Sequence, residues 1–250
     1  MKLPDKITHS FRASEEKVTG IPKWKRILDL TCILLTLPIW WILMVLVAAW
    51  IKMVSHGPVF YCQERVGLRG KPFMMLKFRT MKVCSETRSH ERYFDILADS
   101  DHPMTKLDVL GDSRMIPGGY FLRASGLDEL PQFFNVLRSE MTLVGPRPCT
   151  PHEFPKLWEA SAERFEVEAG ITGHWQVNGK NRTTFRRMID LDVYYARKVS
   201  IWLDLWIILR TLPAIYEQVL ESWRICDDEI MNQDRGMVAN LRKESVARDA

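Results

Sequence analysis

The chain has 250 residues, of which 46% are hydrophobic and 26% are charged, and its formal net charge is +4. This apolar content lets most of the chain fold around a core. The mild positive excess suits an anionic membrane surface or phosphate-bearing substrates, and it is too small to indicate a nucleic-acid-binding protein. The five cysteines are scattered without a C-x-x-C pair, which argues against a disulfide framework or a structural zinc site.

The first long element is an apolar segment from Leu30 to Ile51 that contains no charged residue. It is long enough to cross a hydrocarbon layer of roughly 30 Å as a helix. Basic residues flank both ends, Lys23 before and Lys52 after, and positive charge normally marks the cytoplasmic side of a membrane. Pro38 lies inside the segment and favours a kink. Two structures stay open: a helix that bends and returns to the same face, or one tilted span.

Two residues of opposite charge stand at the entry to this helix. Arg26 and Asp29 are three positions apart, a spacing that places them on one helix face. A buried carboxylate is costly unless it is paired. The sequence therefore predicts an Arg26–Asp29 ion pair at the membrane surface.

A β-hairpin is predicted after the membrane segment. Val59-Phe60-Tyr61 is typical of a short strand, Gly67-Leu68-Arg69-Gly70 is typical of a turn, and the residues from Phe73 to Met81 alternate loosely between apolar and polar. We predict that the hairpin spans Val59 to Met81. Residues 84–101 are polar and are predicted to be helical, whereas 102–116 look irregular.

Adjacent carboxylates, Asp128 and Glu129, follow in a segment that contains arginine. The residues from Glu129 to Leu137 have the spacing of a helix, and Pro131 is tolerated only in its first turn, so we expect the helix to begin near Asp128. Backbone N–H groups at a helix N-terminus would keep the Asp128 carboxylate ionised, as a nucleophile that displaces a phosphate requires. The alternative is that Asp128 only caps the helix.

Two loops carry basic residues after this helix. In Gly145-Pro146-Arg147-Pro148 the prolines restrict the backbone around the arginine, which helps to present its guanidinium to a phosphate or a base. The second loop, Asn178-Gly179-Lys180-Asn181, follows Gly170-Ile171-Thr172-Gly173, and its glycine permits close backbone approach while Lys180 is suited to meet an anion.

The last part of the chain offers a rival metal site and a second apolar segment. Asp190-Leu191-Asp192 has the D-x-D form with which some glycosyltransferases hold a metal-bound nucleotide, but it lies in a predicted helix. Residues 200–216 are too short and too charged for a confident span. They fit either a helix in the membrane interface or a buried core helix, and the residues after Glu217 become polar.

Taken together, these segments resemble the bacterial sugar transferase family of monotopic phosphoglycosyl transferases, which act on polyprenyl phosphate. The resemblance covers about Lys23 to Tyr216. Eight motifs occur in the order typical of the family: Lys25-Arg26-Ile27-Leu28-Asp29, Gln63-Glu64-Arg65-Val66-Gly67, Lys77-Phe78-Arg79-Thr80-Met81, Leu127-Asp128-Glu129-Leu130-Pro131-Gln132, Leu143-Val144-Gly145-Pro146-Arg147-Pro148, Gly170-Ile171-Thr172-Gly173, Gln176-Val177-Asn178-Gly179 and Asp192-Val193-Tyr194-Tyr195.

The resemblance implies an α+β, mostly helical, monotopic membrane protein with a re-entrant helix, a small β-hairpin and interfacial amphipathic helices. Arg26, Asp29 and Pro38 would form the structural membrane motif of the re-entrant helix. The implied organisation has four parts: a polar N-terminal tail (1–22), the re-entrant helix (23–52), a cytoplasmic catalytic domain (53–220) and a polar C-terminal tail (221–250). The active site would lie on the cytoplasmic face of a bacterial inner membrane.

The resemblance also implies a reaction. A UDP-sugar would donate its phosphosugar to polyprenyl (undecaprenyl) phosphate, with release of UMP, to start a glycan or exopolysaccharide. Asp128 would attack the β-phosphate and form a covalent aspartyl-phosphosugar intermediate, and Glu129 would assist by proton transfer or by positioning. The expected partners are these two substrates and membrane lipids, with no nucleic acid, and a homodimer is left open.

Five basic residues are expected to bind the substrates: Arg123, Arg147, Lys180, Lys77 and Arg79. Arg123 and Lys180 match family positions that contact phosphate, and Arg147 matches a position assigned to the nucleotide end. Because both substrates are anions, Mg²⁺ is expected as a cofactor, with Asp128 as its protein ligand.

Three residues depart from the family pattern, and the family does not exhaust the alternatives. Leu37 precedes Pro38 where serine is common, Gly126 replaces a usual serine before the dyad, and Lys180 stands where arginine is common. These departures bear on sugar choice and rate more than on reaction class. The rival hypotheses are a metal-dependent glycosyltransferase that uses the D-x-D residues and a catalytically inactive membrane scaffold of the same fold. The intact carboxylate dyad argues against the scaffold.

Overall fold

The computed structural model describes residues 21–83, 88–100, 102–104 and 114–222. The α-helices in this part of the chain are α1 (Lys23–Val54), α2 (Arg88–Ala98), α3 (Gly119–Ser125), α4 (Gln132–Leu137), α5 (Phe154–Ala160), α6 (His174–Val177), α7 (Phe185–Lys198) and α8 (201–222). The strands are β1 (Phe60–Val66), β2 (Pro72–Phe78), β3 (Thr142–Val144) and β4 (Gly170–Thr172). Short 3₁₀ turns cover Leu68–Gly70, Leu127–Glu129, Ala162–Phe165 and Lys180–Arg182. The mostly helical α+β prediction is confirmed.

Strands β1 and β2 form the predicted antiparallel hairpin, which pairs Phe60 with Phe78 at one end and Val66 with Pro72 at the other. A two-stranded hairpin is marginally stable in water, so it needs a partner. The side chain of Asn135, on α4, supplies one by bonding two backbone groups of β2. Its amide oxygen accepts from the Leu76 N–H at 3.0 Å and its amide nitrogen donates to the Met74 carbonyl at 2.7 Å. The hairpin is thereby fixed against the helix that follows the carboxylate dyad.

Strands β3 and β4 form a short parallel pair in which the backbones approach unusually closely. A Cβ at Gly145 would lie 2.2 Å from the Glu168 carbonyl oxygen, and a Cβ at Gly170 would lie 2.0 Å from the Gly145 nitrogen. Only glycine fits such a contact. The two glycine motifs therefore serve to bring the Arg147 loop against β4.

Helix α1 is the one described helix that is long and apolar enough to cross a membrane. One face is buried against the hairpin and α4 and carries Ile33, Trp40, Met44, Val47 and Ile51. The other faces expose large apolar residues, among them Leu34, Leu35, Trp41, Ile42 and Leu46. The helix continues through Pro38.

Carbonyl groups beside Pro38 receive side-chain donors. Proline has no N–H, so it leaves a carbonyl one turn earlier without its usual partner and loosens that turn. The Thr36 hydroxyl donates to the Cys32 carbonyl at 2.7 Å, and the Trp40 indole N–H donates to the Ile33 carbonyl at 3.0 Å. These two residues therefore supply side-chain donors beside the proline, where Leu37 has none.

The N-terminal end of α1 is fixed to the rest of the structure by a buried polar network. The Lys25 ammonium donates to the Val144 carbonyl and the Tyr195 hydroxyl, each at 2.8 Å, and forms an ion pair with Asp204. Asp204 also accepts from the Tyr195 hydroxyl at 2.7 Å. Burial, together with the Asp204 charge, raises the pKa of Tyr195 well above its ordinary value. One lysine thus joins α1, β3, α7 and α8.

The predicted Arg26–Asp29 ion pair is wrong, because each residue has a different partner. Arg26 donates to the carbonyls of Val136 and Leu137, where α4 ends and its last carbonyls lack helical donors. Asp29 accepts from the Thr142 hydroxyl at 2.7 Å and from the backbone N–H of residue 143 at 3.1 Å. Both residues fasten α1 to the domain.

Helix α8 has one buried side and one exposed apolar side. Asp204 and Ile207 are fully buried. Large apolar residues are exposed along the rest of the helix: Trp202, Leu209, Leu212, Tyr216 and Leu220. The alternative of a fully buried core helix is therefore wrong, and the amphipathic alternative remains. The helix continues to residue 222, two residues into the predicted tail at 221–250. The remainder of the two predicted tails, 1–20 of 1–22 and 223–250 of 221–250, lies outside the described residues.

Candidate active site

The carboxylate dyad lies in a tight 3₁₀ turn between α3 and α4, and Asp128 is only 6% exposed. The prediction that α4 begins near Asp128 is wrong, since it begins at Gln132. Pro131 has no N–H for a continuous helix, and the chain instead closes a 3₁₀ turn with the Leu130 N–H bonded to the Leu127 carbonyl at 3.3 Å. The N-cap position of α4 is Pro131, so Asp128 does not occupy the cap position of this helix.

Gly126 sets the direction of the chain just before the dyad. Its φ is 71°, in the left-handed region that favours glycine. A Cβ there would meet nothing within 4 Å, so the constraint is conformational rather than steric. This backbone conformation accounts for the glycine at this position.

Glu129 is held by cations from two other elements. The Lys77 ammonium, on β2, lies 2.8 Å from Glu129 Oε1, and the Arg147 guanidinium lies 3.7 Å from the same oxygen. Burial alone would raise the pKa of Glu129, but the charges of Lys77, Arg147 and Lys180 outweigh it and hold the pKa well below its ordinary value. Glu129 is therefore ionised at any physiological pH.

The two lysines of the site are both influenced by the dyad. Burial lowers the pKa of Lys77 and of Lys180, and the charges of Glu129 and Asp128 partly oppose this shift. Lys77 and Lys180, with Arg147, thus bring three positive charges to two carboxylates. A surplus of positive charge in a poorly hydrated site is suited to phosphate groups.

Two buried arginines fix the loop that carries Arg147. Arg65 donates to the Pro148 carbonyl at 3.2 Å, and Arg164 donates to the Arg147 carbonyl at 3.1 Å. With its backbone held from both sides, the Arg147 side chain extends from a rigid loop. Arg65 lies in one of the motifs that carry the resemblance, but the sequence did not predict that it contacts the Arg147 loop.

Arg123 and Lys180 are joined through a residue that the sequence did not single out. The Gln218 amide oxygen, on α8, accepts from the Lys180 ammonium at 2.6 Å, and its amide nitrogen donates to the Arg123 carbonyl at 3.2 Å. The Arg123 guanidinium lies 3.9 Å from the Met115 sulfur. The only sequence signal for Gln218 was its place just beyond an apolar segment, in a region that looked like a polar tail.

Arg79 lies apart from the cluster around the dyad. Its guanidinium is buried and donates to the Pro58 carbonyl at 2.6 Å, to the Ser55 hydroxyl at 2.9 Å and to the Ser55 carbonyl at 3.1 Å. Its other described side-chain contact is a long one, to the Met81 carbonyl at 3.5 Å. The structure therefore does not bring Arg79 together with the other predicted substrate-binding residues.

The D-x-D residues do not form a metal site. Asp192 is fully buried and paired with Arg164 at 2.8 Å, whereas Asp190 is exposed on α7. Residues two apart on a helix point in different directions. Burial raises the pKa of Asp192 to about 6 against the opposing charge of Arg164. Within the described residues, no group of three or more histidines, cysteines or acidic residues is placed to hold a metal ion.

The sequence that forms this fold, with its carboxylate dyad among basic residues and its long apolar helix, matches a known family. Residues 21–218 match the bacterial sugar transferase family, and the chain belongs to that family. It is 38% identical to galactosyl transferase CpsE of Streptococcus agalactiae over 76% of this chain and 42% of the relative. It is 41% identical to UDP-glucose:undecaprenyl-phosphate glucose-1-phosphate transferase of Xanthomonas campestris pv. campestris over 71% of this chain and 36% of the relative.

A third relative is matched over most of its own length. The exopolysaccharide production protein ExoY of Rhizobium meliloti is 35% identical over 69% of this chain and 76% of the relative. By contrast, the chain spans less than half of the CpsE and Xanthomonas proteins.

Proposed function

We propose that this protein is a phosphoglycosyl transferase that moves a phosphosugar from a UDP-sugar to polyprenyl phosphate and releases UMP. The observation that carries the proposal is the buried Asp128 beside Glu129, within reach of Lys77, Arg147 and Lys180. The name of the Xanthomonas relative supports the two substrate classes, and the name of the Rhizobium relative supports a role in exopolysaccharide production.

Asp128 acts as the nucleophile. A carboxylate oxygen attacks the β-phosphorus of the donor, and the bond from that phosphorus to the bridging oxygen breaks, so UMP leaves with the bridging oxygen. The phosphosugar is then held on Asp128 as an acyl phosphate. An oxygen of polyprenyl phosphate attacks the same phosphorus, which frees Asp128 and yields the lipid diphosphate sugar.

Glu129 has a positioning role in this scheme. A general base works best with a pKa near the working pH, whereas Lys77 and Arg147 hold the pKa of Glu129 well below its ordinary value. Glu129 therefore keeps both cations beside Asp128 rather than exchanging a proton. Arg123, at the end of α3, is assigned to the donor phosphates with Lys180 because both match family positions that contact phosphate, and the Gln218 side chain bonds the Lys180 ammonium and the Arg123 carbonyl.

A magnesium ion fits this donor set only with help from the substrate. The described residues form no all-protein cage, and Mg²⁺ commonly binds one or two carboxylates together with substrate phosphates. The Asp128 carboxylate and the donor diphosphate would hold it, and the ion would offset negative charge on the diphosphate.

The packing of α1 supports a re-entrant rather than a spanning helix. Lys25 at its beginning and Ile51 at its end are both buried against the same domain. A helix that crossed the membrane would carry its two ends to opposite faces. With a bend at Pro38, both ends stay on the cytoplasmic face of the inner membrane, and the exposed apolar sides of α1 and α8 enter the lipid.

The test is UMP release by the full chain in nanodiscs with Mg²⁺, a panel of UDP-sugars and undecaprenyl phosphate. We expect UMP release that depends on the lipid acceptor and is lost in Asp128→Asn. Asp190→Asn, an exposed aspartate of α7, is the matched control and should retain activity. Full activity in Asp128→Asn, or loss in Asp190→Asn alone, contradicts the proposal.

A further inference from the structure

The final turns of α8 contact the loop that carries Lys180. The Gln218 side chain connects the Lys180 ammonium with the Arg123 carbonyl. Lysine can only donate, so the amide oxygen must face Lys180, which leaves the amide nitrogen to bond the carbonyl. One side chain therefore links the two residues assigned to the donor phosphates.

A second contact joins α8 to the loop that carries Lys180. Glu221 forms an ion pair with Arg182, and it lies three positions after Gln218, on the same face of α8. Two side chains of one helix face thus hold the 3₁₀ turn Lys180–Arg182.

The backbone of this loop needs external support. Lys180 has a φ of 35°, and Gly179 before it has a φ of 112°. A non-glycine residue in the left-handed region carries a conformational cost and persists only where its surroundings enforce it. The two contacts from α8, Gln218 with Lys180 and Glu221 with Arg182, stabilise this backbone conformation. In this conformation the Lys180 ammonium lies close enough to Glu129 for their charges to interact.

We propose that Gln218 is a positioning residue that aims Lys180 at the diphosphate of the nucleotide donor. This inference rests on the proposed function and adds to it a residue outside the dyad and its cations. The Lys180 ammonium has three N–H donors, so it keeps its bond to Gln218 and directs another N–H to the phosphate when donor binds. Because the same side chain bonds the Arg123 carbonyl, the separation between the Arg123 backbone and Lys180 stays fixed.

The test measures binding of UDP by calorimetry to the full chain in nanodiscs. Gln218→Met keeps the volume of the side chain and removes both hydrogen bonds, and it should weaken UDP binding about tenfold. Glu217→Gln, an exposed neighbour on the same helix, is the control and should bind as the wild type does. Donor KM should rise in Gln218→Met more than kcat falls.

A double-mutant cycle separates positioning from a general effect on the fold. If Gln218 acts through Lys180, adding Gln218→Met to Lys180→Met will weaken UDP binding no further. Additive weakening, an unchanged affinity in Gln218→Met, or a wild type that binds no UDP overturns the inference. Wild type that binds UDP but releases no UMP contradicts the proposed function alone, because the binding cycle still decides the role of Gln218.

Discussion

The pair between Lys77 and Glu129 gives the sharpest prediction. Their charged atoms are 2.8 Å apart, and the side chains are 14% and 22% exposed. Breaking a fully buried pair costs about 3–5 kcal/mol, and a surface pair is worth about 0–1 kcal/mol. This pair is mostly buried, and Arg147 remains 3.7 Å from the same oxygen. We therefore expect Lys77→Met to lower stability by about 2 kcal/mol, or about 6 °C in melting temperature for a chain of this size.

The effect of Lys77→Met on melting temperature should depend on pH in a definite direction. The pKa of Glu129 in the folded protein lies below its ordinary value of 4.5. Its contribution to stability is therefore present above that ordinary value and is lost as the pH falls toward the folded pKa. Without the Lys77 charge, the pKa of Glu129 in the folded variant is higher than in the wild type. The contribution of Glu129 ionisation to stability is therefore smaller in the variant. The difference in melting temperature should be largest near neutral pH and should narrow on acidification.

Differential scanning fluorimetry of the intrinsic tryptophans in detergent measures this difference. Lys71→Met, an exposed lysine of the same hairpin, serves as the control and should melt within about 1 °C of the wild type. A Lys77→Met protein that melts with the wild type at neutral pH, or a difference that grows on acidification, would refute the electrostatic account of Glu129.

Three further predictions concern the supports of the site. Asp192→Asn leaves the buried charge of Arg164 without a counterion, so we expect a loss of about 3 kcal/mol in stability, read by thermal denaturation. Because Arg164 also holds the Arg147 carbonyl, UMP release per folded molecule should fall only partly, and a loss as complete as that in Asp128→Asn would revive the D-x-D hypothesis. Lys25→Met leaves Asp204 buried without its cation, and we expect a loss of about 3–5 kcal/mol, read by thermal denaturation. Leu212→Glu places a charge on the exposed apolar side of α8. It should weaken retention on liposomes, measured by flotation of detergent-extracted protein. Unchanged retention would argue against lipid contact by α8.

Local patterns in the sequence were enough to predict the hairpin and the long apolar helix. Both depend on the periodicity of neighbouring residues, which the backbone translates directly into structure. The beginning of α4 was misplaced because Pro131 admits either a first helical turn or a break, and the local sequence does not distinguish the two. The left-handed φ of Gly126 likewise required the structure.

Contacts between distant charged residues could not be predicted in the same way. Lys25 meets Asp204 across 179 positions, and Asn135 fastens a strand 59 positions earlier. Charge and spacing identify which residues need partners, but only packing decides which partners they find. Arg79 illustrates this limit: its motif predicted a place in the site, and the structure uses it to anchor the end of α1.

The covalent intermediate on Asp128 is the central claim, and intact-mass spectrometry tests it most directly. The purified full chain is mixed with Mg²⁺ and each UDP-sugar of a panel in the absence of lipid acceptor, beside an Asp128→Asn control. The account predicts a mass gain equal to one phosphosugar with the cognate donor, absent in the control and discharged when undecaprenyl phosphate is added. The same mass gain in Asp128→Asn, or lipid-dependent UMP release without an adduct in rapid-quench samples, would contradict it.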